Sequence, residues 1–438
     1  MKAGLATIAA LATAPFPGAL AVIRISGTET GEILQKIFRP RHPGAFRPFG
    51  LKTGDFVSPE GEILDSGLAV FMPGPNSYTG EDYAELNLHG NPLLAARVLE
   101  ALINYGVRQA LPGEFTQRAF LLGKMDLSQC EGVDELLRAS NPAACRAAWR
   151  LQNGELRKQL ENSSTLAKRT LAGLQGAIEF GDDVAENRPL WRANLETILK
   201  DLEKILATAG SARIARDGLC VVICGKPNAG KSSLFNALLC EERALVAKVP
   251  GTTRDVLSGE ILLGNLPVKI YDTAGLRNAK GRVEALSVKR SEETLKQADL
   301  IIYVADGRHP VPLEKRYRVP LIKLQSKADL QTPLLRGYTP FSSKTGEGLE
   351  AIKNLILKKG GALLKEGESL VALRARHLDL LKRGVKATKS GLKNLGSPYL
   401  ELVSEDVSDL VSSLGEITGE TTPEEILDLI FREFCVGK

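Results

Sequence analysis

The residues best placed to do chemistry lie between 225 and 233: Gly225-Lys226-Pro227-Asn228-Ala229-Gly230-Lys231-Ser232-Ser233. Their spacing is G-x-x-x-x-G-K-[ST], that of a phosphate-binding loop. An apolar, strand-like run from Leu219 to Cys224 precedes it, and Leu234, Phe235, Ala237 and Leu238 open a helix after it. Glycines let successive backbone N–H groups turn inward, and a helix N-terminus adds positive potential, so the pattern suits a triphosphate. Lys231 can reach the β- and γ-phosphates and the Ser232 hydroxyl can hold Mg²⁺.

Residues downstream narrow the ligand to GTP. Asp272-Thr273-Ala274-Gly275 follows the expected strand Val268 to Tyr271. There an acidic side chain meets Mg²⁺ through water and a glycine amide meets the γ-phosphate. Gly251-Thr252-Thr253-Arg254-Asp255 lies between the two, with Thr253 as a second hydroxyl for Mg²⁺. After an expected strand from Val319 to Leu324, Ser326-Lys327-Ala328-Asp329 resembles the N-K-x-D guanine motif of small GTPases. A carboxylate at Asp329 accepts two hydrogen bonds from the guanine edge, which adenine does not offer. Ser342-Ser343-Lys344 resembles the S-A-K loop of the same proteins. Two departures stand out. Ser326 replaces the usual Asn, which predicts weaker base affinity. Leu276 follows Gly275 where Ras-like GTPases carry the Gln that orients the attacking water.

These motifs need a scaffold. A chain of 438 residues predicts two to four domains. Hydrophobic content of 43% and charged content of 25% are ordinary for a soluble globular protein. A net charge of +5 permits nucleic-acid contact without requiring it. The six cysteines show no metal-type pairing, and Cys220 and Cys224 read as core of the strand before the phosphate loop. Nothing requires disulfides, which suits a reducing compartment, and a cytoplasmic location is expected. Ala3 to Ala14 looks loosely like a signal peptide, but Pro15 and Pro17 interrupt it and Ala21 to Ile25 continues as a strand, so it reads as mature protein. No run of 18 apolar residues exists, so no membrane span is expected.

The expected architecture is multidomain α/β. Residues 1–120 read as an α+β domain, with strands at Ala21–Ile25, Leu68–Met72 and Ala84–His89, a helix from Pro92 to Asn104, and a long Gly74 to Asp82 loop. Residues 121–215 read as the first part of a helical domain, with Leu156, Leu160, Ala167, Leu171, Leu174 and Ile178 on one face. The nucleotide domain, a Ras-like P-loop GTPase domain, spans 216–358 and is expected to be inserted into the helical domain, whose second part at 359–438 packs with the first. In the last helix Thr422 is the expected N-cap, Pro423 the first helical position and Glu425 the partner in a capping box. Ile426, Ile430 and Phe434 form its expected apolar stripe, with Leu427 and Phe431 beside it. Cys435, taken alone, reads as a buried small hydrophobe.

The whole chain resembles the MnmE (TrmE) family of tRNA-modification GTPases. The resemblance rests on Arg24-Ile25-Ser26-Gly27, the Gly74 to Asp82 loop, Pro112 to Thr116 with Arg118-Ala119-Phe120, the GTPase motifs, Leu414 to Gly419, and Cys435-Val436-Gly437-Lys438. It implies a homodimer working with a FAD-dependent partner, MnmG (GidA), in a heterotetramer or larger complex. That complex adds a carboxymethylaminomethyl or aminomethyl group to carbon 5 of the wobble uridine of certain tRNAs. The one-carbon unit comes from a 5-formyl- or 5,10-methylene-tetrahydrofolate. By position, Arg24, Glu81, Lys124 and Lys438 correspond to folate contacts. Cys435, in the terminal tetrapeptide that matches the family's, is a candidate functional residue, either a nucleophile or a group positioned near the site. The resemblance also implies K⁺ beside the phosphates, held by Asn228, the carbonyls of Ala247 and Val249, and Thr252. Lys248, Pro250 and Gly251 complete that stretch of the GTP site. Lys231 and Asn228 then act in hydrolysis, and Glu284 matches the residue that orients water in place of the absent Gln.

A competing reading is an RNA-binding ribosome-assembly GTPase, whose class also uses G-x-P-N-x-G-K-S loops. That class carries a KH-like module after the GTPase, with a G-x-x-G loop. Here a helical segment follows instead.

Overall fold

The computed structural model describes residues 6–42, 44–180, 186–241, 258–272, 297–306, 308, 319–330, 333–363 and 371–437. The chain divides into two compact units, Met1–Asp134 with Ser408–Lys438, and Glu135–Val407.

The first unit is built on a seven-stranded sheet. Its elements begin with β1 (Ile8–Leu11), β2 (Leu20–Ser26), α1 (Thr30–Ile37), β3 (Phe38–Pro40), β4 (Leu51–Val57), β5 (Ile63–Met72) and β6 (Tyr83–His89). Then follow α2 (Pro92–Asn104), β7 (Arg108–Gln109), α3 (Glu114–Leu121) and α4 (Leu127–Arg138). The strand order is β3-β4-β5-β6-β2-β1-β7, antiparallel except for the β1–β7 pair. Alternation decides which face is covered. Ala9, Ile23, Ile25, Ala69, Ala84 and Leu86 point to one side, where Ile33, Leu34 and Ile37 of α1 and Val98 and Leu102 of α2 bury them. Helix α2 starts where the sequence predicts: Asn91 Oδ1 accepts from the Leu93 amide at 2.9 Å and Pro92 takes the first turn. On the other parity, Ile8, Ala10 and Tyr83 pack with Ala110 and Phe115.

The second unit joins helices to a nucleotide-type sheet. It contains α5 (Pro142–Gln152), α6 (Glu155–Phe180), α7 (Arg188–Ala207), α8 (Ala209–Asp217), β8 (Leu219–Gly225) and α9 (Lys231–Glu241). Then come β9 (Ser258–Leu263), β10 (Leu266–Asp272), β11 (Leu300–Asp306), β12 (Leu321–Ser326), β13 (Thr339–Pro340), α10 (Leu349–Leu363) and α11 (Ala375–Asn394). The order is β13-β12-β11-β8-β10-β9, with only β9 antiparallel to its neighbour. Parallel strands buried on both faces should read as apolar runs, and β11 (Leu-Ile-Ile-Tyr-Val-Ala-Asp) does. Helix α11 packs on α7: Leu195 comes within 3.5 Å of where a Cβ on Gly391 would stand, and Lys389 pairs with Glu203 at 2.8 Å. The sheet is therefore inserted between helices that pack on one another.

The chain closes with α12 (Leu400–Thr418) and α13 (Glu424–Arg432). Several local expectations need correction. Helix α13 has Pro423 as its N-cap residue and no side-chain cap. Thr422 Oγ1 instead donates to the Glu416 carbonyl at 3.0 Å, so no capping box forms with Glu425. The buried face of α13 carries Leu427 and Phe431, while Ile426 is 40% exposed. In α6, Ile178 is exposed and Ser163 and Thr170 enter the core, where Asp201 and Asn194 satisfy their hydroxyls. Strand β5 begins five residues before Leu68, and β12 begins at Leu321 and keeps Ser326 as its last residue.

Candidate functional site

The phosphate loop leaves β8 and enters α9 in the conformation its glycines allow. At Gly225 (φ +149°) a Cβ would lie 2.2 Å from the Val304 carbonyl oxygen, so only glycine lets β8 turn there against β11. Asn228 and Gly230 both have positive φ, +60° and +90°. This curls the loop into the kind of amide-lined concavity that receives an anion. The Lys231 ammonium, almost fully buried, lies across the loop on the Lys226 carbonyl at 2.8 Å. Ser232 Oγ donates to Asp272 Oδ2 at 2.6 Å, and Asp272 is wholly buried at the end of β10. The parallel register that pairs Asp272 with Ile223 delivers this carboxylate to the first turn of α9. A hydroxyl facing a carboxylate is a pair of hard oxygen donors, which fits Mg²⁺. Asn228 stands exposed on the loop, with its amide oxygen suited to a monovalent cation.

The residues expected from the sequence to read the base gather at the same sheet end. Asp329 Oδ1 accepts from Ser342 Oγ at 2.7 Å. Ser342 in turn accepts from the Lys344 amide at 3.3 Å, so the second loop orients the carboxylate from behind. Ala328 N donates to the Phe341 carbonyl at 3.1 Å, tying the two loops together. Lys327, at φ +63°, pairs with Asp306 at 2.6 Å. Ser326 is buried and donates to the Ala305 carbonyl at 3.3 Å. Its Cβ sits 3.2 Å from where a Cβ on Gly230 would be, so it packs under the phosphate loop. Ser343 belongs to the turn that follows β13. A cavity of about 260 Å³ opens here, lined by Lys226, Pro227, Asn228 and Ala229 on one side and by Tyr303 to Asp306 on the other. Glu284, the stretch Ala247, Lys248, Val249, Pro250, Gly251, Thr252 and Thr253, the residues Thr273, Ala274 and Gly275, and Lys438 lie outside the described residues.

A second polar centre forms in the first unit. Glu81 Oε2 accepts from Ser26 Oγ at 2.8 Å and from Arg118 Nη1 at 2.9 Å. Thr79 Oγ1 shares a hydrogen bond with Ser26 at 2.8 Å. Arg118 is 2% exposed and also donates to Glu114 and to the Ala6 carbonyl. Burial alone would raise the Glu114 pKa, but the bonds from Arg108, the Leu111 amide and Arg118 outweigh it and hold the carboxyl below its usual range. Arg24 donates to Glu85 Oε1 and to the Gly437 carbonyl, both at 3.0 Å. Tyr83 beside it is buried and its hydroxyl stays protonated. Lys124 Nζ reaches back to the Pro75 carbonyl at 2.8 Å, closing the 73–82 loop. The geometry thus brings Arg24 to residue 437 and Glu81 to Arg118. Cys435 is exposed, so its reading as a buried hydrophobe is overturned. Cys224 is buried as expected, and Cys220 is half-buried with its thiol pushed up to about 11, by burial first and Asp299 second. Arg118, Ser26 and Thr79 mark the family resemblance in the sequence but carry no chemical role there, because no spacing links positions 26, 79, 81 and 118.

Comparison with known proteins supplies the family. Residues 7–124 match the family described as GTP-binding protein TrmE N-terminus. Residues 127–435 match the MnmE helical domain, well over half of the chain. The chain belongs to the MnmE family. A tRNA modification GTPase MnmE of Symbiobacterium thermophilum is 39% identical over 455 residues, covering 99% of both chains. MnmE of Geobacter sulfurreducens is 36% identical over 451 residues, again covering 99% of each. Among solved structures, the G domain of the T. maritima FeoB iron transporter covers 32% of this chain and 98% of its own, at 28% identity and a TM-score of 0.25. In the MnmE family members just named, full-length coverage means that both polar centres lie within the shared sequence. No helix among the described residues is long and apolar enough to cross a membrane.

Proposed function

We propose that this chain is the GTP-hydrolysing component of a cytoplasmic complex that modifies tRNA at carbon 5 of the wobble uridine. The observation that carries the GTPase half is the Ser232–Asp272 pair at 2.6 Å, set on the same sheet end as the Asp329–Ser342 pair. Together they support a reading in which Mg²⁺ donors stand at one end of a nucleotide and a guanine reader at the other. Lys231 binds the β- and γ-phosphates, and the loop amides between Asn228 and Ser232 orient them. Mg²⁺ on Ser232 and Thr253, and K⁺ beside Asn228, would neutralise charge developing on the transferred phosphoryl group. Glu284 would hold the attacking water, since Leu276 cannot. The nucleotide domains of two subunits would meet to complete this site.

The modifying half rests on the MnmE relatives and on the first unit. Arg24, Glu81, Lys124 and Lys438 would bind a tetrahydrofolate derivative, with Arg and Lys suited to its carboxylates and Glu81 to its pterin N–H donors. The set fits in one respect seen in the geometry: both hydrogen bonds to Glu81 fall on Oε2, and Oε1 makes none among the described residues. A flavoprotein partner, MnmG, would supply the redox step. The test is nucleoside analysis of tRNA from cells with and without the protein. The modified wobble uridine should disappear in the knockout and return with the wild-type gene. Cells that retain it would overturn the proposal. A purified protein whose GTPase rate is the same in NaCl and KCl at matched ionic strength would remove K⁺ from the site.

A further inference from the structure

Gly437 occupies a seat that admits no side chain. Its φ is +87°, and a Cβ there would fall 2.6 Å from the Leu11 carbonyl oxygen and 3.0 Å from the Ala12 Cα, at the end of β1. Its own carbonyl accepts from Arg24 Nη1 at 3.0 Å. Two residues earlier, the Cys435 carbonyl accepts from the Gly113 amide at 3.3 Å. Gly113 is itself a close approach, at φ +70°, with a Cβ there only 2.5 Å from the Phe431 carbonyl oxygen. The segment 435–437 is thus fastened at both ends, to the start of α3 and to β2. Cys435 and Val436 stay exposed between the two fastenings. Arg24 is aimed by its neighbour: Glu85 lies directly opposite it in the β2–β6 register and accepts from Nε at 3.0 Å. Tyr83 adds a weaker bond of 3.4 Å to the same carboxylate oxygen.

We propose that Arg24 is a positioning residue for Cys435, holding the thiol in place by gripping the Gly437 carbonyl. This goes beyond its correspondence to a folate contact. The fork geometry of a guanidinium suits the task. One edge binds Glu85 and another binds the carbonyl, which a single lysine ammonium cannot do in the same arrangement. Gly437 supplies the complementary half, because only a residue without a side chain lets the carbonyl come within reach of Arg24.

The test is amide hydrogen exchange on the full chain without nucleotide, folate or tRNA, following peptides over 431–437 and 109–115. Arg24→Gln removes the charge and Arg24→Lys keeps it. Gly437→Ala leaves Arg24 intact and blocks the seat. Each should raise exchange in 431–437 and at the Gly113 amide by about tenfold or more, the scale of losing one charge-assisted hydrogen bond. Exchange in α1 (Thr30–Ile37) should stay unchanged, which reports that the sheet is still folded. If Arg24→Gln fails to fold, Arg24→Lys and Gly437→Ala still decide. The proposal is overturned if the Arg24 variants leave 431–437 protected, including the case in which they lose tRNA modification. That outcome would make Arg24 a ligand contact only, with the proposed function left standing.

Discussion

The two polar centres are built in opposite ways. In the second unit the phosphate loop is nine consecutive residues, and one strand-to-helix turn places Gly225, Lys231 and Ser232 together. In the first unit the groups around Glu81 come from β2, the 73–82 loop and α3, with partners at positions 26, 79, 81 and 118. The first arrangement is local and keeps a sequence signature. The second exists only once a seven-stranded sheet has closed with β2 beside β6. Local sites fail by losing chemistry, whereas an assembled site also fails by losing its scaffold.

The largest effects should separate the two modes. Lys231→Ala should lower GTP hydrolysis by about 10³-fold or more, because its ammonium is the cation built into the phosphate loop. It should leave amide protection in β6 (Tyr83–His89) unchanged. Arg118→Met should do the reverse. It removes a 2%-exposed guanidinium and takes one charge-assisted bond from each of Glu81 and Glu114, which should destabilise the first unit by about 3 kcal/mol. The readout is lost protection in β6 with GTP affinity intact. If Arg118→Met instead weakened GTP binding and left β6 protected, the contrast would be wrong.

Acid should act on the same network. The Glu114 carboxyl is held below its ordinary value of 4.5, so the unfolded chain takes up the proton first. The stability it contributes is therefore full above about pH 4.5 and is lost as pH falls below that value toward the folded-state pKa. Protection in β6 should fall over that window in the wild type and change less in Arg118→Met, where part of the cause has been removed.

Smaller, and confined to chemistry, is Glu284→Ala. It should cut kcat on the order of 10²-fold with little change in GTP affinity, the scale of positioning a nucleophile. A solvated surface charge would leave the rate within about a factor of two. Comparing nucleotide Kd with single-turnover rates decides between them.

The sequence made the α/β class, the phosphate loop and the start of α2 readable, since each depends on residues within a few positions of one another. Tertiary packing overrode local signals elsewhere. Thr422 satisfies the Glu416 carbonyl instead of capping α13, because the turn from Thr418 to Pro423 brings that carbonyl to its hydroxyl. The α6 stripe bends away from Ile178 because Asp201 and Asn194 of α7 make Ser163 and Thr170 welcome in the core. Ser326 was readable as a departure from Asn, but its burial under Gly230 depends on β12 lying beside β11.

The smallest expected effect probes how the base end is divided between two loops. In the proposed site Asp329 would read the base and Ser342 would aim it, through the bond of 2.7 Å. Asp329→Asn should move preference from GTP toward XTP, because an amide donor can face the xanthine carbonyl. The loss for GTP should be about 10- to 100-fold, as for a hydrogen-bonded charge. Ser342→Ala removes one hydroxyl and leaves the carboxylate, so GTP should weaken by only about three- to tenfold. Its preference over XTP should not change, since the group that touches the base is the same. Binding of both nucleotides to both variants settles the division of labour. If Ser342→Ala altered the ratio of GTP to XTP affinity as much as Asp329→Asn does, Ser342 would be reading the base itself. The base end would then be an assembled site like the one around Glu81, and the contrast between the two units would stop at the phosphate loop.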